Sequence, residues 1–121
     1  MQTATIVKIG KDSYDVSYPN VGQKLDIENV KLMLTNSQYG EMARSGHVTA
    51  LQLLDLVDAV AYFTILVPEL KSSLKVQDFM DMNPVEARNL RKGYKKYFVP
   101  FFEAVEKELN EDGDEDETTE V

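Results

Sequence analysis

The sequence predicts an α+β fold: a mostly α-helical bundle with an N-terminal β-hairpin and a disordered acidic C-terminal tail. Three observations support this fold class. An apolar segment from Val48 to Val67 has the length and spacing of a core helix. Residues 3–18 alternate apolar and polar side chains on both sides of a glycine, which is the pattern of two strands joined by a turn. Residues 111–121, the acidic tail, contain seven acids and no base, a composition typical of disorder.

The composition is that of one soluble domain. A chain of 121 residues with 43% hydrophobic side chains can bury a core without a covalent staple, so we expect residues 1–110 to form a single domain. The absence of cysteine excludes disulfides and thiolate chemistry, and it fits a reducing cytoplasm. The net charge of −8 comes from the acidic tail, since the rest of the chain has 13 bases against 14 acids. The low pI is therefore compatible with a basic binding face on the body.

The N-terminal elements follow from turn and capping signals. Thr3–Ile9 and Tyr14–Tyr18 are predicted to pair as a hairpin around residues 10–13, and two strands alone are marginal, so the hairpin must pack on the helices. Asp26 is predicted to cap a first helix over Ile27–Thr35. A break at residues 36–37 and a short helix over Tyr39–Arg44 should follow.

The central helix should start near residues 47–49 and end before Pro68, which cannot continue it. Six apolar side chains with three- and four-residue spacing form its predicted inner face: Leu53, Leu56, Val57, Val60, Phe63 and Val67. Its length is close to that of a membrane span. However, Asp55 and Asp58 would each cost about 2.5–3.5 kcal/mol at a bilayer centre, so we predict a soluble helix and no membrane partner.

The C-terminal part should be one long helix. After helical turns over Glu69–Val76 and a connector over residues 77–82, Asn83-Pro84-Val85-Glu86 has the N-cap asparagine, first-turn proline and third-position glutamate of a helix start. The helix should run to about Asn110. Pro100 removes one backbone hydrogen bond and should kink or split it near Phe98-Val99, and disorder is expected from Asp112 onward.

Two groups of polar residues are candidate binding sites. The partner-binding ridge on the outer face of the central helix combines two carboxylates and a phenol with flanking leucines; its members are Leu51, Asp55, Asp58, Tyr62 and Leu66. Leucines interleaved with acids are typical of a protein interface. The basic stripe on the last helix has spacings that place five cations on one face, namely Arg88, Arg91, Lys92, Lys95 and Lys96. It suits an anionic partner or a solvated helix face, and the acidic tail, which could fold back on it, makes nucleic acid an unlikely ligand.

The sequence shows no catalytic or metal-binding motif. Asp55 and Asp58 lie one turn apart without a third ligand, and His47 is the only histidine. The serines lack the glycines of a nucleophile elbow, and the glycines are too scattered for a phosphate loop. We therefore expect no enzymatic activity, no metal and no cofactor.

Several stretches together resemble the small tail assembly chaperones of long-tailed bacteriophages. They are IVKIGKDSYDVSYPNVGQKLDIENVKLMLTNSQYGEM, LDLVDAVAYFTILVPELKSSL and GYKKYFVPFFEAVEKEL, followed by a charged tail. The likeness covers most of residues 5–110 as a pattern of elements. It implies a non-enzymatic protein of the host cytoplasm that binds the tape measure protein and keeps its helices soluble during tail assembly.

The residues by themselves leave three interpretations open. The first is a binding protein that covers apolar helical surface on a client, with self-association favoured by exposed Leu51 and Leu66. The second is a virion structural or nucleoprotein-like component that binds an anionic surface through the basic stripe. The third, a small enzyme, would need a further polar group to converge on Asp55 and Asp58.

Overall fold

The computed structural model describes the backbone of residues 2–71 and 79–120 and the side chains of residues 2–70 and 79–111. The elements, in chain order, are β1 (Ala4–Ile9), β2 (Asp12–Ser17), α1 (Val21–Leu34), α2 (Tyr39–Ser45), α3 (Val48–Leu66), α4 (Pro68–Lys71), α5 (Pro84–Gly93), a π-helical segment (Tyr94–Phe98) and α6 (Val99–Glu120). The predicted class is confirmed, because an antiparallel hairpin precedes a body that is otherwise helical.

The hairpin is tighter than the sequence predicted. Ile9 pairs with Asp12, so the loop consists of Gly10 and Lys11 alone. Gly10 has a φ of 62°, and a loop of this length needs a positive φ at its first central position. The hairpin packs on the helices, as expected: Val7 and Val16 are fully buried, and β1 contacts both α5 and the π-helical segment.

Helix α1 begins at Val21, so the prediction of a helix capped by Asp26 was wrong. Asn20 is the N-cap, and its Oδ1 accepts a hydrogen bond of 2.8 Å from the backbone N–H of Gln23. The Gln23 side chain accepts one of 3.0 Å from the backbone N–H of Asn20. This reciprocal capping box satisfies two of the free N–H groups at the helix start, and Asp26 lies exposed inside the helix.

The next two helices match the prediction closely. Residues 36–37 form the predicted break, with a φ of 50° at Asn36 and 64° at Ser37. Gly46, in the left-handed conformation, ends α2. Helix α3 starts after His47 and ends before Pro68. All but one of its predicted inner residues are buried; the exception is Leu53, which is exposed.

Helix α4 forms part of the helical turns expected over Glu69–Val76, and the remainder of that prediction, residues 72–76, lies outside the described residues. The start of α5 is confirmed. Asn83 Oδ1 accepts a hydrogen bond of 2.9 Å from the backbone N–H of Glu86, and Pro84 occupies the first turn.

The irregularity associated with Pro100 lies at Tyr94–Phe98, slightly closer to the N-terminus than the predicted position near Phe98-Val99. The backbone N–H of Val99 donates to the carbonyl of Tyr94, five residues back, which defines the π-helical segment. Pro100 has no N–H to offer to the carbonyl of Lys96, which favours such a break in the regular ladder. Helix α6 continues to Glu120, so the disorder expected from Asp112 is not confirmed.

The core is centred on α3 and the aromatic side chains of the C-terminal helices. Phe63 and Phe98 are almost fully buried. The ring centroid of Phe98 lies 4.9 Å from the ring centroid of Tyr62 and 5.6 Å from that of Phe102. These contacts join α3 to the π-helical segment and α6, and they fix which side of α3 faces inward.

Candidate protein-binding surface

The structure uses most of the predicted partner-binding ridge for contacts within the chain. The Tyr39 hydroxyl donates a hydrogen bond of 2.7 Å to Asp58 Oδ1, and Lys31 Nζ lies 3.7 Å from the same oxygen. Burial raises the pKa of Asp58, although the hydrogen bond from Tyr39 and the charge of Lys31 oppose this effect. Asp58 therefore joins α1, α2 and α3 and is not free to contact a partner.

Two further ridge residues are also engaged. Tyr62 is half-buried among aromatic rings, with Lys31 Nζ 5.2 Å from its ring centroid, and burial raises its pKa to about 12. Asp55 Oδ2 accepts a hydrogen bond of 3.0 Å from Lys95 Nζ. Tyr62 and Asp55 thus connect α3 to α1 and the π-helical segment.

The two leucines of the ridge differ in exposure. Leu51 is 42% exposed, but Leu66 is only 7% exposed and belongs to the core cluster that contains Ile27 and Phe63. The expectation that both leucines offer apolar surface was therefore wrong for Leu66. The C-terminal half of α3 is covered by the chain's own helices, whereas most side chains of its first turns are exposed.

The solvent face of α1 carries an exposed apolar surface that was not predicted from the sequence. Val21 is 84% exposed, Leu25 63% and Leu32 46%. Their spacings of four and seven residues place the three side chains in one row along the helix, here called the α1 stripe. The opposite face of α1 holds the buried residues Ile27 and Leu34.

The exposed acids of α1 lie on its solvent side. Two carboxylates, those of Asp26 and Glu28, are exposed there. Glu28 lies within the row of the α1 stripe, between Leu25 and Leu32, and its carboxylate reaches sideways to Lys31 Nζ at 3.0 Å. Asp26 forms no ion pair with any described residue. The α1 stripe is therefore accompanied by negative charge.

Both lysines of α1 have partners inside the chain. Lys24 Nζ lies 3.5 Å from a Glu106 carboxylate oxygen, and Lys31 is buried beside Asp58. Lys31 is therefore not available to attract an acidic partner, and Glu106 partly neutralises the half-exposed Lys24.

This surface could not be found once the helix was predicted to begin at Ile27. That boundary removed Val21 and Leu25 from the helix, so their alignment with Leu32 was lost. The signal was present in the sequence, because Asn20 and Gln23 have the spacing of a capping box.

The start of α3 adds further exposed apolar side chains. Val48 is 70% exposed and Leu53 46%, and both lie within two turns of the exposed Leu51. Leu54, in the same segment, is only 5% exposed. The predicted partner surface on α3 is thus limited to its first turns, of which only Leu51 belongs to the original ridge.

The predicted basic stripe exists as a surface feature. Arg88, Arg91, Lys92 and Lys95 line a shallow cleft of about 300 Å³. Lys95 is paired with Asp55, and Lys96, outside the cleft, lies over the ring of Tyr97. The Nε atom of Arg91 is buried without a hydrogen-bond partner in the described part of the chain.

Little in the described residues suggests catalysis. Among the described side chains, those of residues 2–70 and 79–111, no three histidines or carboxylates lie close enough together to hold a metal ion. His47 serves as the N-cap residue of α3, with its side chain exposed. Asp55 and Asp58 point to different partners, Lys95 and Tyr39, and do not converge on one site.

In the described part of the chain, α3 is the one helix long and apolar enough to cross a membrane. Its C-terminal half is packed in the core and its two carboxylates have partners within the chain, which is the environment of a core helix in a soluble protein.

Comparison with known proteins found no matching family model, no similar characterised protein and no similar solved structure.

Proposed function

We propose that this protein is a non-enzymatic binding protein of the chaperone type, which covers the apolar face of a helical client. The α1 stripe is the observation that carries this proposal. Val21 is 84% exposed and Leu25 63%, on a helix whose other face is firmly held in the core. Aligned apolar side chains left in water on a fixed helix are typical of a surface that another polypeptide covers.

The charges around the α1 stripe define the chemistry of the client. A helix that packs against α1 needs apolar side chains at three- and four-residue spacing. Because the exposed carboxylates of Asp26 and Glu28 accompany the stripe, the client should carry lysine or arginine at the edges of its apolar face. The preferred client is thus an amphipathic helix with basic borders.

The resemblance to tail assembly chaperones gives the client a specific identity. We propose that it is the tape measure protein of a long-tailed bacteriophage, held in the host cytoplasm until the tail tube forms around it. An α1 stripe suited to amphipathic helices is compatible with that role, and Leu51 at the start of α3 would extend the contact.

The test has two parts that separate the general proposal from the phage assignment. A designed helical peptide of leucine heptads bordered by lysines should bind the protein, and L25E/L32E should weaken binding at least ten-fold. V85E/L109E is the matched control, since Val85 is 58% exposed and Leu109 40% but neither lies on α1. Equal loss in both variants, or no binding at all, would refute the α1 stripe as the binding surface.

The phage assignment needs the genome that encodes this chain. Co-expression with the tape measure protein of that genome should raise the soluble yield of the latter, and L25E/L32E should abolish this effect. A genome without a very long coiled-coil protein encoded beside a major tail protein would remove the phage assignment and leave the general proposal intact.

A second candidate function is a virion structural or nucleoprotein-like component that binds an anionic surface. The cleft lined by basic side chains favours it. The two functions respond differently to salt, because phosphate binding weakens steeply as salt increases whereas apolar contact tolerates moderate salt.

A further inference from the structure

The last helices form a rod whose two ends have opposite charge. Residues 84–98 contain five bases against one acid, and residues 99–120 contain ten acids against one base. Backbone dihedrals are right-handed helical at Gly93 and Val99, the two junctions of the π-helical segment, so α5 continues into α6 without a turn. The charge difference therefore extends along one continuous element.

The positive end has a formed cleft rather than scattered lysines. Arg88, Arg91, Lys92 and Lys95 share it, and Asp55 neutralises only Lys95. Within the described residues, no carboxylate forms an ion pair with Arg88, Arg91 or Lys92. These three unpaired cations are the groups that a carboxylate entering the cleft would meet.

The chain's own acidic tail cannot reach this cleft while α6 remains helical. Glu111 lies sixteen positions after Lys95, which corresponds to about 24 Å along a helix, and the tail continues in the same direction. The intramolecular masking of the basic stripe, which the sequence suggested, would require α6 to break. A second copy placed antiparallel meets no such obstacle.

We propose that the basic cleft binds the acidic tail of a second copy of this chain, so that two rods pair antiparallel. The two contacts are equivalent by two-fold symmetry, each joining the cleft of one copy to residues 111–120 of the other. The pairing is electrostatic, and it weakens with salt because exposed charges are screened. It uses a different face from the α1 stripe, so it does not depend on the proposed function.

Sedimentation equilibrium of the full-length chain at micromolar to millimolar concentration tests this pairing. We expect a monomer–dimer equilibrium whose dissociation constant rises at least ten-fold when sodium chloride is raised from low to high concentration. R88E/K92E should weaken the dimer at least ten-fold. K11E/R44E, which makes the same change in net charge at exposed positions outside the cleft, should change the dissociation constant less than two-fold.

A charge exchange distinguishes a direct contact from a structural effect. Adding E115K/E117K to R88E/K92E should restore at least part of the lost affinity, whereas E115K/E117K alone should weaken the dimer. A chain that stays monomeric throughout, or a dimer insensitive to R88E/K92E, overturns the proposal. So does binding of a single-stranded oligonucleotide that R88E/K92E abolishes while the dimer is unchanged, since the cleft would then be a nucleic-acid site.

Discussion

The Tyr39 hydroxyl donates a hydrogen bond of 2.7 Å to Oδ1 of Asp58 and thereby links α2 to α3. The same oxygen faces Lys31 of α1, a lysine that is only 8% exposed. One carboxylate thus holds three helices together at the base of the exposed segment of α3. Because Asp58 contacts Tyr39 and Lys31, this residue of the predicted ridge stabilises the fold and is not available to a partner.

Replacing Asp58 with alanine should destabilise the fold by about 2 kcal/mol, because the Tyr39 hydroxyl loses its acceptor and the buried Lys31 loses one of its two negative neighbours. Lys31 keeps Glu28 at 3.0 Å, which limits the loss. Urea unfolding followed by circular dichroism measures the change. D15A, at an exposed position of β2, is the control and should be near neutral.

A double-mutant cycle separates the hydrogen bond from the rest of this effect. D58A combined with Y39F should show a coupling energy of about 1 kcal/mol, the usual contribution of one such bond. Additive effects of the two substitutions would mean that Tyr39 and Asp58 do not interact in solution.

The stability should also depend on pH through Asp58. Burial raises its folded-state pKa above the ordinary value of 3.8, so the folded chain takes up this proton more readily than the unfolded chain. The contribution of Asp58 to the free energy of unfolding should therefore increase as pH falls through the folded pKa, and it should be complete below about 3.8. The contribution of Asp58 to the free energy of unfolding should decrease again as the pH rises through the folded pKa.

D58N provides the reference for this measurement, since asparagine does not titrate. The stability of the wild type relative to D58N should rise between neutral pH and pH 4, as measured by urea unfolding at each pH. A carbon-13 titration of the Asp58 carboxyl with a midpoint at or below 3.8 would contradict the account.

Gly93 should be essential for the contact between α5 and the hairpin. A Cβ at this position would lie 2.6 Å from the backbone carbonyl oxygen of Lys8 and 3.1 Å from Ile9 Cγ1. Helix propensity alone favours G93A by about 1 kcal/mol, but the steric conflict with a backbone atom costs about 1–3 kcal/mol. We expect a net destabilisation in thermal unfolding.

G40A is the matched control for G93A. A Cβ at Gly40 of α2 meets only the flexible side chain of Arg44, at 3.6 Å. This substitution should be neutral or stabilising by about 0.5 kcal/mol. If both variants had the same melting temperature, the close approach of α5 to β1 would be refuted.

The sequence predicted the elements that have strong local signals. Val48–Leu66 was found because its apolar run ends at a proline, and α5 because Asn83 and Pro84 mark its start. The glycine of the hairpin turn was equally clear, although the loop proved two residues shorter than expected. In these cases the chemistry that sets the boundary lies within a few residues of it.

The functional surface was harder to predict because exposure depends on tertiary packing. Periodicity showed that Leu51 and Leu66 share a side of α3 with acids. It could not show that the other helices bury Leu66 and leave Leu51 exposed. Nothing in the sequence indicated that Lys31 would be buried, and yet its ammonium group lies close to both Asp58 and Tyr62. The α1 stripe was missed through one misplaced helix boundary.

Binding of a helical client to the α1 stripe can be located on the protein by hydrogen–deuterium exchange, measured with and without the leucine–lysine helical peptide. We predict that added protection is concentrated in residues 21–34 and disappears in L25E/L32E. Protection confined to residues 84–98, or exchange unchanged by the peptide at saturating concentration, would contradict the claim.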